Sequence, residues 1–420
     1  MYQKTILDNG VRIVTEEMPY LHSACLGVLI GVGSKDETPE NCGISHFVEH
    51  MRFKGTNKRS VRELSEVIDE LGGHVDASTG REYTCYYAKV IDSKLPQAVD
   101  ILSEIFFEST FPAEEIEREK EVVNEEIKMY EDSPDDMIHD LFVQSMWGNH
   151  PLGRPIWGSQ KVVNSLTRDI LFTFCNDYYT PDRIIISATG NVSHQKIVDM
   201  FSPFKQLKNQ GLEMGKICQP EVSANIMVQE KDLEQVHFCL GTIGLPYTHD
   251  DRFVLRLLSV IMGGGMSSRL FQTIREERAL AYDVHSYCAS HQEAGIFAVS
   301  VGTSPEKYKE CIEIILKEFR EIKRNGVLVS ELEKAKERMK SVIALHMEDS
   351  SYRMSRLAEQ EFFFGKHYIV DEILLKIDRV SMDDINRLTC SLLDEKYFNL
   401  AAIGPIKQKD CAQIIKQVRM

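Results

Sequence analysis

The stretch Met129-Tyr130-Glu131-Asp132-Ser133 recurs in similar form as His346-Met347-Glu348-Asp349-Ser350. Each copy follows a long, charged helical pattern. The predicted elements before each copy also come in the same order: a strand, helices, two strands and then long helices. The repeated unit is roughly 200 residues long, far longer than the repeat of a solenoid. The sequence therefore predicts an internal duplication and two similar α+β domains.

Each half of the chain is predicted to form one mostly antiparallel sheet with helices packed on one face. The first half opens with a β-hairpin whose turn is Asp8-Asn9-Gly10. Residues 205–222 are polar and contain glycine and proline, a composition typical of a linker. We therefore expect an N-terminal domain of residues 1–204 and a homologous C-terminal domain of residues 223–420.

The composition is that of a folded globular protein, with 43% hydrophobic and 27% charged residues in a chain of 420. Asp and Glu number 64 against 49 Lys and Arg, which gives a formal net charge of −15. A nucleic-acid-binding protein needs a concentrated basic face, so this balance argues against a nucleic-acid partner. A solvated acidic surface explains the charge most simply.

The ten cysteines are scattered along the chain, and none forms a C-x-x-C pair. Scattered single cysteines are typical of reduced thiols in the cytosol. The first residues contain neither an apolar signal core nor an Arg- and Ser-rich presequence. No apolar run reaches the roughly 18 residues of a membrane span. We therefore expect a cytoplasmic protein without a membrane partner.

The motif that carries chemistry is His46-Phe47-Val48-Glu49-His50, on a helix predicted over 43–53. Two histidines four residues apart project from the same helix face, so both rings can reach one metal ion. Glu49 lies beside that face, where a carboxylate can act as general base. The order is reversed relative to H-E-x-x-H, with equivalent geometry. The alternative is a surface helix with two unrelated histidines.

A third ligand is expected on the carboxylate-rich helix predicted over 112–131. Val122 and Val123 are predicted to mark its buried stripe. Glu119 lies one turn before them and Glu126 one turn after, so both share the buried face. An unpartnered buried carboxylate is costly, and metal ligation removes that cost. We assign Glu126 as the ligand and Glu119 as a group that supports the site.

Glu125 is the main alternative to Glu126, whereas Glu121 is expected to point towards solvent. Catalytic zinc usually takes three protein ligands and keeps one position for water. Together with His46 and His50, Glu126 would complete such a set, so we predict one zinc ion per chain.

Several stretches together resemble a known family, the pitrilysin-like metallopeptidases, whose inverted motif defines the inverzincins. The resemblance runs essentially end to end and is strongest with the branch of the mitochondrial processing peptidase and its bacterial relatives. The stretches that carry it are Gly43–Met51, Gly72–Thr79, Glu119 with Glu126, Tyr179–Pro181 and Arg275–Tyr282.

The resemblance implies that His46, His50 and Glu126 bind zinc. It further implies that Glu49 activates water and that Glu119 is the family's supporting glutamate. The corresponding positions in the second half, Gly263–Ser267, contain no residue that ligates zinc as imidazole does. One half is therefore expected to carry the metal.

Two further features are implied to bind substrate. The stretch Val75-Asp76-Ala77-Ser78-Thr79 resembles the edge strand to which the family adds an extended peptide, a form of β-augmentation. Arg275 and Tyr282 match a pair that contacts the substrate backbone. Without the resemblance, these features would be an ordinary sheet edge, a helix-surface cation and a core aromatic.

We therefore expect a zinc endopeptidase that cleaves extended or unfolded peptides, with a processing role as one form of that activity. The main alternative is a non-catalytic partner or scaffold subunit of the same fold, and a third is metal storage. By resemblance, two domains in one chain correspond to one subunit of a dimer, so we expect a homodimer. Asp76 and Arg52 depart from the family's usual asparagine and apolar residue.

Overall fold

The computed structural model describes residues 1–208 and 217–418, with side chains described as far as residue 413. The chain divides into two compact units, each containing one sheet, so the predicted α+β class with two domains is confirmed. Unit 1 comprises Met1–Lys128, Arg154–Gly215 and Ala344–His367, and unit 2 comprises Met129–Gly153, Lys216–Ile343 and Tyr368–Met420.

The regular elements of the described residues follow in chain order. The strands are β1 Tyr2–Ile6, β2 Arg12–Glu17, β3 Ser23–Ile30, β4 His74–Thr79, β5 Thr84–Ile91, β6 Ile184–Gly190, β7 Asn225–Glu230, β8 Val236–Ile243, β9 Ala281–Ser290, β10 Gly295–Thr303 and β11 Asn399–Gly404. The helices are α1 Ile44–Met51, α2 Val61–Glu70, α3 Leu95–Phe107, α4 Ala113–Asp132, α5 Pro134–Trp147, α6 Gln160–Ser165, α7 Arg168–Tyr178, α8 His194–Met200, α9 Arg252–Gly263, α10 Tyr308–Asn325, α11 Val329–His346, α12 Ser350–Phe364, α13 Val370–Asp378, α14 Met382–Leu392 and α15 Gln408–Val418.

The sheet of unit 1 has the strand order β1-β2-β6-β3-β5-β4. Neighbouring strands are antiparallel except β2 and β6, which are parallel. The predicted hairpin is present: β1 pairs with β2 across a turn in which Gly10 has φ +102°, a value that glycine adopts without strain. The order of strands leaves β4 at one edge of the sheet.

Both faces of the unit 1 sheet are covered. One face packs against a core to which α1 and α3 contribute, including Phe47 and Leu102. On the other face, Leu357 of α12 packs with Leu29 and Ile185. The expectation of helices on one face only was therefore wrong, because a helix from late in the chain covers the second face.

Unit 2 has the strand order β7-β11-β8-β10-β9, with only β7 and β11 parallel. Its larger core lies between the sheet and helices that include α9 and α10. The second face is covered by α5, whose Phe142 packs in a cluster with Ile296 and Ala401. Unit 2 therefore also has helices on both faces.

Each of the two repeated stretches lies at a place where the chain passes from one unit to the other. One passage, into unit 2, falls at Met129 in the last turn of α4, and another, into unit 1, falls at Ala344 in the last turn of α11. Each long helix is then followed by the helix that covers a second sheet face, α5 or α12. The compact units are therefore discontinuous in sequence, unlike the predicted domains.

Part of the predicted linker, residues 209–216, lies outside the described residues. On its flanks, a short 3-10 helix covers Ser202–Gln206, and residues 217–222 contain no helix or strand. Among the helices that the structure describes, none combines the length and the apolar character needed to cross a bilayer.

Candidate metal centre

Helix α1 presents the histidine motif because its apolar residues face the core. Ile44, Phe47, Val48 and Met51 are fully buried. The spacing of 3.6 residues per turn then leaves the side chains at positions 46, 49 and 50 on the opposite side of the helix. The helix extends over eight residues only, so its orientation depends on what anchors its ends.

A buried carboxylate anchors the first turn of α1. Glu37, only 4% exposed, accepts hydrogen bonds from the backbone N–H groups of Gly43 at 2.7 Å and Ser45 at 2.8 Å. These amides have no partner within the helix, and a side-chain oxygen that accepts from them satisfies the start of the helix. Burial raises the pKa of Glu37 to about 8, although both hydrogen bonds favour the ionised form. Sequence reasoning missed this residue.

The buried face of helix α4 includes Ile116, Glu119, Val123 and Ile127. Val122, which was predicted to be buried, is 50% exposed. Adjacent residues on a helix point about 100° apart, so only one of the two valines can lie at the centre of a narrow stripe. The prediction that Val122 is buried was therefore wrong.

Three donor atoms from α1 and α4 converge. The Nε2 atoms of His46 and His50 are 3.2 Å apart, and Glu126 Oε2 lies 3.6 Å from the first and 3.5 Å from the second. In a tetrahedral zinc site with bonds of about 2.1 Å, ligand atoms lie about 3.4 Å apart. Two imidazole nitrogens and one carboxylate oxygen at these separations fit a single zinc-like ion.

Within the described residues, these three side chains form the group that could hold a metal ion. The alternative ligand Glu125 does not take part, since its side chain is 73% exposed and pairs with Lys128 at 2.6 Å. Glu121 is exposed, as expected.

Metal binding needs neutral imidazole, and the two rings of the site differ in how readily they take that form. Burial, reinforced by the neighbouring His50, lowers the pKa of His46 to about 3, so this ring is neutral at ordinary pH. For His50, burial alone would lower the pKa, but the hydrogen bond and charge of Glu119 outweigh it and raise the value. His50 is therefore the ring whose orientation is fixed by a charged neighbour.

Glu119 holds that ring in place. Its Oε1 lies 2.8 Å from His50 Nδ1, and its Oε2 lies 2.6 Å from Lys54 Nζ. Burial would raise the pKa of Glu119, but these two partners lower it. A carboxylate on the second nitrogen of a ligating histidine fixes the tautomer that leaves Nε2 free for a metal. Sequence reasoning gave Lys54 no role, because it lies 65 positions from Glu119 and no local signal connects the two residues.

Glu49 lies where the motif and the edge strand meet. Its Oε2 accepts a hydrogen bond from the hydroxyl group of Thr79, the last residue of β4. Burial raises the pKa of Glu49, and the hydrogen bond from Thr79 opposes that shift. In the predicted substrate stretch, Val75, Ala77 and Thr79 are partly buried, while the residues between them are exposed.

Arg275 and Tyr282 belong to unit 2, where they contact each other. Arg275 Nη1 donates to the backbone carbonyl of Tyr282 at 2.9 Å, and its Cζ lies 4.4 Å from the centre of the tyrosine ring. Tyr282 is 80% exposed, so it is not the core aromatic that its residue type alone would indicate. An exposed aromatic held by a cation is suited to contact a ligand.

These features define a class of protein, a duplicated α+β fold with an inverted histidine motif and a candidate metal centre in one unit. The family model described as insulinase (peptidase family M16) matches residues 12–160. A second model, described as the peptidase M16 inactive domain, matches residues 165–339. The chain belongs to peptidase family M16, the pitrilysin- and insulinase-like family.

Relatives of similar length support this assignment. The uncharacterized zinc protease YmxG of Bacillus subtilis is 44% identical over 405 residues, which cover 96% of this chain and 98% of the relative. An uncharacterized zinc protease of Streptomyces coelicolor is 36% identical, covering 98% of this chain and 91% of the relative. The match to these relatives, which are named as zinc proteases, thus covers nearly their whole length.

Solved structures support the fold. A peptidase M16 inactive domain from Pseudomonas fluorescens matches with a TM-score of 0.90 at 19% identity, covering 97% of this chain and 98% of that one. A protease from Helicobacter pylori matches with a TM-score of 0.88 at 23% identity, covering 96% and 100%. At such identities the likeness concerns the fold alone.

Proposed function

We propose that this chain is a zinc-dependent endopeptidase that binds one zinc ion through His46, His50 and Glu126. The observation that carries the proposal is that the three donor atoms lie within 4.8 Å of one another, on a helix pair that also presents Glu49. The names of the relatives, which call them zinc proteases, support the choice of metal and of reaction.

In the proposed mechanism, bound zinc supplies Lewis acidity, which polarises a carbonyl group and acidifies water. The carboxylate of Glu49 takes a proton from the attacking water and can later deliver it to the leaving amine. The pKa of Glu49 is raised, and this brings it closer to the operating pH, where a general base accepts and releases a proton most efficiently. Glu119 keeps the ring of His50 in the orientation that ligation needs.

The proposed substrate is an extended or unfolded peptide that adds to the free edge of β4. Of the described strands, β4 pairs with β5 on one side only, so its other edge can accept a further strand. The contact between Thr79 and Glu49 supports this location, because a peptide on residues 75–79 would run towards the base. Main-chain bonding of this kind requires a segment without secondary structure, which favours unfolded substrates.

We further propose that Arg275 and Tyr282 bind the substrate backbone or stabilise the oxyanion. The exposure of Tyr282 and its contact with Arg275 support a role in ligand binding. A processing role on cationic leader-like peptides agrees with the net charge of −15. We also propose a homodimer, which sedimentation of the purified chain would test.

The experiment measures zinc content and cleavage of an unstructured peptide library by wild type and Glu49→Gln. We expect about one zinc per chain in both, and a loss of cleavage of about 10²–10⁴-fold in the variant, the range for a general base. Glu125→Gln is the matched control, because Glu125 is exposed and paired with Lys128. Undiminished cleavage by Glu49→Gln would refute the assigned base, and zinc-loaded wild type without cleavage would favour a partner subunit.

A further inference from the structure

Unit 1 contains a cavity of about 490 Å³ that is separate from the metal donors. Its wall combines polar side chains with five aromatic ones, which come from α3, the segment after it, α7 and the residue that follows α7. A cavity of this size is within the range that binds small organic molecules. The aromatic residues that line it are Phe106, Phe107, Phe111, Phe172 and Tyr179.

The unusual member of this wall is Arg52, which directly follows α1 and is only 6% exposed. Its guanidinium carbon lies 5.3–5.5 Å from the ring centres of Phe106, Phe111 and Tyr179. Nη1 donates to backbone carbonyl groups, including that of Ile105 at 3.2 Å, and Nη2 to the thiol of Cys175 at 3.3 Å. These partners are neutral.

In the part of the chain that the structure describes, the hydrogen bonds of the Arg52 guanidinium go to backbone carbonyl groups and a thiol rather than to a carboxylate, and its Nε is buried without a hydrogen-bond partner. An arginine cannot discharge itself, so the positive charge persists in the interior. Carbonyl groups and aromatic faces offset part of the cost of burying it, but a buried charge is usually paired with an opposite one. Among the described residues, this buried cation therefore lacks a paired anion.

The remaining lining adds two charges of opposite sign, Asp177 and Lys208, so the side chains of the wall carry one net positive charge. One negative charge would balance the site. A carboxylate matches the planar guanidinium, and a flat apolar body matches the phenylalanine rings. Both requirements are met by one small molecule with a single acidic group.

We propose that this cavity binds a small aromatic monocarboxylate, with the carboxylate on Arg52 and the ring among the phenylalanine side chains. The site is independent of the metal centre and does not rest on the proposed peptidase activity. It gives unit 1 a ligand site beside the end of the helix that carries the histidine motif.

The test uses phenylacetate as the probe and isothermal titration of the full chain. Phenylacetamide, which lacks the charge, and acetate, which lacks the ring, are the comparison ligands. We expect saturable binding of phenylacetate and at least tenfold weaker binding of each of the others. Equal binding of phenylacetate and phenylacetamide, equal binding of acetate, or no saturable binding of phenylacetate would overturn the proposal.

Two variants locate the site. Arg52→Met should remove the preference for phenylacetate over phenylacetamide, whereas Arg62→Met, on an exposed side chain of α2, should keep it. If Arg52→Met fails to fold, Asn176→Trp is the second variant that locates the site. Asn176 is exposed on α7 and lines the cavity, so a tryptophan there should obstruct it. It should weaken binding at least tenfold, while Thr173→Trp on the same helix, outside the lining, should not. Unchanged binding in Asn176→Trp would place the ligand elsewhere and contradict the proposal.

Discussion

The sheet of unit 2 has the same strand arrangement as that of unit 1 without β1, but the two units use equivalent positions differently. Counted back from the repeated Glu-Asp-Ser, Glu126 of α4 corresponds to Ile343 of α11, and Glu119 corresponds to Lys336. Ile343 packs against the core of unit 2. Lys336 is buried and donates to the carbonyl of Asp378. The same helix positions therefore serve packing in one unit and a candidate metal centre in the other.

The histidine helix differs in the same way. The residues that correspond to His46–His50 are Gly263–Ser267, where α9 ends in a run of glycines. The edge strands are also equivalent: β4 ends the sheet of unit 1 and β9 ends that of unit 2. Proposed substrate residues lie on each of these strands, with Thr79 ending β4 and Tyr282 near the start of β9, and Arg275 lies just before β9. The comparison teaches that the fold of a unit does not require the side chains of the candidate metal centre.

The strongest test converts the centre of unit 1 to the composition of unit 2. In Glu126→Ile we expect zinc to fall from about one per chain to none and cleavage to be abolished, because two imidazoles alone do not complete a catalytic set. Metal analysis after gel filtration and the peptide assay measure both. The metal-free variant should unfold at a temperature close to that of metal-free wild type, since Ile343 shows that this helix position accepts an apolar side chain. Full zinc content in Glu126→Ile would exclude Glu126 as a ligand.

A change with a smaller expected effect tests whether Glu119 supports the proposed zinc ligand His50. Glu119→Gln keeps the shape of the side chain but removes the charge that orients His50 and pairs with Lys54. Changes to such supporting groups typically cost about 10–100-fold in metal affinity. Competition with a chelator measures the affinity, and Glu117→Gln is the control, because Glu117 is exposed on the same helix and pairs with Lys120. An affinity unchanged from wild type would mean that the contact with His50 is incidental.

Spacing along a helix allowed the metal group to be predicted from sequence. His46 and His50 lie one turn apart, and Glu126 was preferred to Glu125 from the direction of the buried face, a choice that the geometry of the donor atoms supports. The same reasoning failed at Val122, because a stripe of buried residues does not say which of two adjacent valines is central.

Contacts between distant parts of the chain could not be predicted in this way. Glu37 caps α1, and Lys54 pairs with Glu119, across gaps that have no periodic signal. No helix was predicted from the sequence over α12, which buries the polar residues Gln360 and Glu361 and so lacks a clean amphipathic pattern. The exchange of α5 and α12 between units was also missed, because periodicity shows that a helix has an apolar face but not which sheet it covers.

The smallest expected effect concerns the anchor of α1. Helix α9 extends over 12 residues with nine of them buried and no side-chain hydrogen bond at its start, so packing holds it. The shorter α1 depends more on Glu37. The pKa of this carboxyl is raised to about 8 in the folded protein, against about 4.3 in an unfolded chain. Between these values the folded state binds more protons, so the contribution of Glu37 to stability falls as pH rises.

Glu37→Gln removes that titration. Thermal unfolding should show wild type losing stability relative to Glu37→Gln between pH 5 and pH 8, by on the order of a few degrees in Tm. Glu40→Gln, in the same segment but exposed, should follow the wild-type curve at every pH. Parallel curves for wild type and Glu37→Gln would mean that Glu37 is ionised throughout this range and that its two backbone hydrogen bonds outweigh its burial. The helix would then be anchored by a charge rather than by a neutral acid, and α1 would differ from α9 in electrostatics as well as in packing.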